Sequence, residues 1–425
     1  MYRDEVPAYG TLIQLVSDIN SQVLQSDRNL KSSLDISDGL DRLSQERHGA
    51  IRLGSAAELK TMARIFSVMG MFPVGYYDLA AAGIPVHSTA FRPVSSDALA
   101  INPFRMFTSV LRLELIQDES LRELATGIID SREIFSPSCI SLLEKAEADS
   151  GLDESDANSF VIAAVETFRW HEQANVSQAI YKDLLGSHRL VADIVSFKGP
   201  HINHLTPRTL DIDLAHQTMP QHGIDPKETI EGPPQRDCPI LLRQTSFKAL
   251  EENVNFVDED SSVSSGSHTA RFGEIEQRGI ALTPKGRTLY DKLLDKAKGT
   301  DSGDYLENLE SAFKEFPDNW GELRKQGLAY FQYSVEKDNE LPITEENLED
   351  LINRSVVRFD PIIYEDFLPV SAAGIFQSNL GDDAAQTYAE SSSQQDFEIA
   401  LGKPLRDPFE LYEKIQNNSV LAFTE

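Results

Sequence analysis

His48 in ERHGAIRLG, His204 in GPHINHLTPR and the carboxylates of RFGEIEQRG lie far apart in the chain. Each sits on a short segment that reads as a strand. Two histidines and one carboxylate are the ligand set of a mononuclear non-haem Fe(II) site with open positions for substrate and oxygen. The carboxylate is Glu274 or Glu276, which differ by two and therefore share a strand face. One of them at a metal leaves the other to pair with an arginine. Arg52 follows His48 by four residues, an even spacing that puts both on one face. A guanidinium beside a metal can grip a carboxylate bidentately. The combination points to oxygen chemistry on an acidic substrate.

Other residues compete for these roles. His48–Arg52 and His204–Arg208 both read H-x-x-x-R, as a duplicated β-rich module with one histidine per half would. Pro207 interrupts the second copy. His201 and His204 differ by three, so a regular strand points them to opposite faces and only one reaches a given cavity. His87 in VHSTAFRP is the main rival as a ligand. His171 falls on a predicted helix and His268 in a polar loop. Arg52, Arg92, Arg208, Arg243 and Arg278 all lie in or beside β segments, and a dicarboxylate would need one or two of them. Arg52 is the foremost, because its placement follows from that of His48.

The elements that position these groups can be outlined. Leu12, Leu15, Val16, Ile19, Val23 and Leu24 form one helical stripe within the first forty residues. HGAIRLG reads as a strand, residues 56–69 as a helix stopped by Gly70, and VHSTAFRPV as a second extended segment. FRMFTSVLRLELI, SCISLLEKAEA, ANSFVIAAVETFRWHE and VSQAIYKDLL read as helices, a helical insertion over 105–188 between a first β-rich module (1–104) and a second (189–299). LVADIVSF, HINHL, PILLRQTSFKAL and FGEIEQRGIAL read as β, and DEDSSVSSGSH as a surface loop. Thr283 caps a helix with Pro284 in its first turn. Residues 300–425 are acidic and mostly helical, with one β-like patch and the small-residue loop SAAGIFQSNLG.

Composition narrows the function. The 425 residues carry a formal net charge of -29, which repels phosphate backbones and argues against nucleic acid. An anionic substrate then needs a local cationic pocket. Two cysteines, Cys139 and Cys238, make no disulfide framework and no zinc pattern, so a reducing cytoplasm is expected. The N-terminus lacks an apolar signal core, and no apolar run approaches the roughly 18 residues of a membrane span. Gly-x-Ser-x-Gly, Walker, G-x-G-x-x-G and H-E-x-x-H patterns are absent from the sequence.

Together, ERHGAIRLG, AGIPVHSTAFRP, FRMFTSVLRLELI, GPHINHLTPRTLDID, EGPPQRDCPILLRQTSFKALEE, RFGEIEQRGIALTPKGR and YEDFLPVSAAGIFQSNLG resemble the 2-oxoadipate dioxygenase/decarboxylase family, from about residue 2 to 415. The resemblance implies an α+β protein: a vicinal-oxygen-chelate-like β core around one metal, with large helical insertions and a mostly helical C-terminal region. It implies an Fe(II) enzyme that uses O2 to convert 2-oxoadipate to 2-hydroxyglutarate and CO2 in lysine breakdown. His48, His204 and Glu274 match the metal ligands, around which the 2-oxo dicarboxylic acid binds. Arg52 matches a residue that binds substrate carboxylate, and Val370 and Ser371 match substrate-lining positions. FGEIEQR is also similar to the glutamate-bearing strand of 4-hydroxyphenylpyruvate dioxygenases, which selects Glu274 over Glu276. The same ligand set holding zinc or nickel would instead serve a non-redox lyase or isomerase acting on an oxo acid.

Overall fold

The structure is a computed structural model that describes residues 1–421 except 28–29, 32–33, 35–39, 46, 259–261, 270, 299–304, 337–346 and 369–389. The first half supplies β1 (Arg47–Leu53), β2 (Phe72–Asp78), β3 (Val86–Arg92) and β4 (Arg105–Leu111). The second supplies β5 (His204–Pro207), β6 (Leu242–Ser246), β7 (Glu251–Val257), β8 (Val263–Thr269) and β9 (Phe272–Arg278). Seven of them form one mixed sheet in the order β2–β3–β4–β1–β5–β9–β6. β7 and β8 pair separately as a hairpin.

The two halves follow one plan. β1 runs into helix Ala56–Val68, and the last strand of its half, β4, returns parallel to it. β5 runs into helix Ile212–Thr218, and β9 returns parallel to it. β1 and β5 join the halves antiparallel at the centre of the sheet. This is the paired-module core expected of a vicinal-oxygen-chelate-like α+β fold. His48 and His204 therefore fall on equivalent first strands, with Arg52 inside β1 and Arg208 just past the end of β5.

The two sheet faces differ in chemistry. Ile51, Leu53, Phe91, Met106, Val110 and Ile275 face a core built with helices Pro7–Ser26 and Ala56–Val68. The opposite face carries Ala50, Ala90, Phe107 and Leu111 beside polar groups, and is closed by helices Gln178–Ser187 and Arg189–Ser196 and by Phe367. A third core joins helices Pro284–Lys298 and Tyr305–Phe313 to the C-terminal helix Pro408–Leu421. Thr283 caps the first of these, accepting from the Gly286 amide at 3.1 Å as its sequence predicts.

Three expectations are corrected. FRMFTSVLRLELI holds β4, not a helix, so the first β-rich module runs past residue 104 to Leu111. Every residue of β4 is buried, so no solvent-facing alternation marks it as a strand. LVADIVSF is helix Arg189–Ser196, buried from Leu190 to Ser196; packing on all sides overrides its β-branched composition. DEDSSVSSGSH contributes β8 rather than a loop, and its Ser-rich exposed face hid the pairing with β7.

Candidate metal centre

The central strands bring the charged groups to the polar face. His48 lies opposite Thr206, and Ala50 opposite His204, in the β1–β5 register. The two imidazoles are thus diagonal neighbours, with ring centroids 5.5 Å apart and planes at 88°. β9 follows β5 in parallel from Phe272, which brings Glu274 beside them. His48, His204 and Glu274 are buried, and their ligand atoms lie within 4.8 Å of one another.

Bonds around the three residues fix their orientation. Glu276 Oε2 accepts from His48 Nδ1 at 2.7 Å, which turns Nε2 toward Glu274 Oε2 at 2.9 Å. Glu276 is clasped on its other side by Arg278, at 2.7 and 3.0 Å. Arg278 also donates to the carbonyls of Tyr364 and Asp366. Glu274 Oε2 further accepts from Thr206 Oγ1 at 3.0 Å and Gln244 Nε2 at 2.9 Å. Among the described residues, both ring nitrogens of His204 and Oε1 of Glu274 lack a hydrogen-bond partner. Orphaned polar atoms at full burial are costly unless a ligand satisfies them. Imidazole nitrogens and a carboxylate oxygen suit a divalent transition metal.

Electrostatics separates the two histidines. Burial disfavours charge on His204, and His48 and Arg52 add to this, so its pKa falls well below the ordinary range. It presents neutral nitrogens, as a metal ligand must. Burial also opposes charging of His48, but Glu276 and Glu274 outweigh it and raise its pKa. Burial would raise the pKa of Glu276, yet Arg278 and His48 pull it down to about 2. Glu276 is therefore a permanent anion that holds His48, as a carboxylate behind a ligating imidazole does.

Arg52 stands on the same face of β1 and donates NH1 to Asp193 Oδ2 at 2.6 Å. Arg92 clasps Asp366 at 2.7 and 3.0 Å, and Arg105, opposite His48 in the β1–β4 register, pairs with Glu365. Arg243 pairs with Asp213 instead. The anchored segment sets Phe367 edge-on to His48, with centroids 4.9 Å apart. It leads directly into 369–389, so Val370 and Ser371 lie outside the described residues. His87 is excluded from the triad: it lies opposite Val110 and packs on Phe397 at 4.7 Å, across the sheet. His201 turns to Asp193 and Trp170. His268, on β8, reaches Asp193 and Tyr181. Asp193, Thr206 and Gln244 were not singled out in the sequence. Thr206 had a signal, its spacing of two from His204; Asp193 was hidden by the misread helix.

Comparison with known proteins gives the family. The family profile described as 2-oxoadipate dioxygenase/decarboxylase matches residues 1–379. A Pseudomonas putida protein of that name is 53% identical, over 99% of this chain and 93% of its own. An Escherichia coli protein of the same name is also 53% identical, over 99% and 94%. A crystal structure of the hydroxyglutarate synthase from Pseudomonas putida in complex with 2-oxoadipate superposes with a TM-score of 0.91, at 50% identity, over 100% of this chain and 94% of that one. The buried triad, the paired-module sheet and these matches along the chain lead to one conclusion: this chain belongs to the 2-oxoadipate dioxygenase/decarboxylase family.

Proposed function

We propose that the protein is an Fe(II)-dependent dioxygenase that converts 2-oxoadipate and O2 to 2-hydroxyglutarate and CO2, in lysine breakdown. The observation that carries this reading is the buried His48–His204–Glu274 triad, with donor atoms left unsatisfied by the described protein groups. The reaction balances without a second oxo acid, since both oxygen atoms of O2 end in the two products. Membership of the family and the substrate named for the Pseudomonas putida complex support the choice of oxo acid.

His48, His204 and Glu274 would hold the iron, which supplies the redox chemistry that couples O2 to decarboxylation. The chain's own residues bind, orient and exclude water. Glu276 keeps the Nδ1 proton of His48 in place, so that Nε2 stays available. Thr206 and Gln244 hold one oxygen of Glu274 and leave the other for the site. Arg52 neutralises a substrate carboxylate and fixes its direction, a positioning effect. Val370 and Ser371 are assigned to the substrate-lining wall by the resemblance alone. Phe367 and Phe107 pack together beside His48 and keep that side dry.

No helix among the described residues is long and apolar enough to cross a membrane. The free, buried Cys139 and Cys238 suit a reducing compartment, and we place the protein in the cytoplasm.

Alanine variants test the site. His48→Ala, His204→Ala and Glu274→Ala should each abolish turnover and lose iron on desalting. Arg52→Ala should keep its iron and raise KM for 2-oxoadipate. A His204→Ala protein with full turnover would refute the proposed centre.

A further inference from the structure

Behind Arg52 lies a second polar cluster that the reaction as proposed does not use. Asp193, in helix Arg189–Ser196, is only 4% exposed. A carboxylate buried this deeply needs donors on both oxygens. Oδ2 accepts from Arg52 NH1 at 2.6 Å and from Asn203 Nδ2 at 3.4 Å. Oδ1 accepts from His268 Nε2 at 2.9 Å, and His201 Nε2 lies 3.3 Å from it. The Tyr181 hydroxyl meets the other ring nitrogen of His268 at 2.8 Å. Both ring nitrogens of His268 are thus engaged, with Nε2–H donating to Asp193 and Nδ1 paired with the Tyr181 hydroxyl. Trp170 stacks parallel to His268 and edge-on to His201.

We propose that Asp193 is the positioning residue for Arg52, held in one rotamer by His268, His201 and Asn203 so that the guanidinium meets the substrate carboxylate in a fixed plane. This rests on the proposed role of Arg52. The physical reason is geometric. An arginine side chain has several rotatable bonds, but its five donors form one rigid planar fork. Tying NH1 to an immobile carboxylate orients the whole fork. Asp193 is itself immobile because its donors come from separate segments: β1, β8 and the turn before β5. Asp193 has two opposing effects, since its charge also screens Arg52. At a buried site where the loss of direction outweighs the gain of charge, removing the anion weakens substrate binding.

The test measures 2-oxoadipate binding by calorimetry on iron-loaded protein without oxygen, so that no turnover occurs. Wild type, Asp193→Asn, Arg52→Gln and the double variant are compared, with iron content as a parallel readout. Asp193→Asn should raise Kd on the order of ten-fold, as loss of a hydrogen bond between charged groups does, with iron content unchanged. In the Arg52→Gln background the same change should add almost nothing, because Asp193 acts through Arg52. His268→Gln should give a smaller loss of the same kind, and it decides the matter if Asp193→Asn does not fold. An unchanged or lower Kd in Asp193→Asn, with Arg52→Gln weakened, overturns the positioning role alone. Additive losses overturn it too, since they show Asp193 acting independently. An unchanged Kd in Arg52→Gln overturns the Arg52 reading and this one with it.

Discussion

Glu276 shows how much one residue can carry from behind a candidate metal ligand. It sits between His48 and Arg278, fully buried, and ties a candidate metal ligand to a guanidinium that in turn holds the carbonyls of Tyr364 and Asp366. Glu276→Gln would leave Arg278 buried beside a neutral partner and would weaken the hold on the His48 proton. Metal affinity should fall about 10- to 100-fold, as when such supporting partners are lost elsewhere. Competition with a chromogenic chelator measures this; an affinity equal to wild type would deny Glu276 its role. At this scale the sequence was partly legible. Even spacing placed Glu274 and Glu276 on one face of their strand and His48 and Arg52 on one face of theirs, and the strands are regular enough for that arithmetic. Which glutamate belongs to the triad depends on cross-strand register, which spacing within one strand does not contain. Asp193 was illegible for a different reason: its partners are 141 residues away at Arg52 and 75 away at His268.

Elements place these residues by fitting tightly from behind. Gly273 precedes Glu274 and faces the opposite side of β9, where a Cβ would clash with the Phe247 ring and meet Leu12 Cδ2 at 3.0 Å. Gly49 follows His48, and a Cβ there would meet Leu205 Cδ2 at 2.8 Å and the His204 carbonyl oxygen at 3.2 Å. Glycine at these points lets the helix layer and the adjoining strand approach the strands that carry the site. Gly273→Val should cost about 1–3 kcal/mol through overpacking and shift Glu274 enough to lower iron retention. Thermal unfolding and metal content check both effects. Gly127→Ala is the control: no atom lies near its Cβ position, and helix propensity alone should leave it neutral or stabilised by up to about 1 kcal/mol. Helices with one wet face were readable, as Ala56–Val68 and Pro284–Lys298 were. β4 and helix Arg189–Ser196 were not: every residue of β4 is buried, so no exposed alternation marks the strand, and Val191, Ile194 and Val195 give the helix a strand-like composition.

The whole molecule sets the field through which substrate arrives. Its net charge of -29 repels a dicarboxylate at long range, while the guanidinium of Arg52 is buried. Screening shortens the repulsion to about 10 Å at 0.1 M salt and reaches a buried guanidinium far less. kcat/KM for 2-oxoadipate should therefore rise several-fold between low and physiological ionic strength. A fall with salt would mean that local cations steer capture. The central claim is that this molecule couples O2 to decarboxylation of a 2-oxo dicarboxylic acid. The most direct test strips the protein of metal, reloads it anaerobically with Fe(II), and follows oxygen consumption after 2-oxoadipate is added. The account predicts uptake matched one-to-one by CO2 and 2-hydroxyglutarate. No uptake, with iron demonstrably bound, would contradict it and turn the same triad toward non-redox lyase or isomerase chemistry.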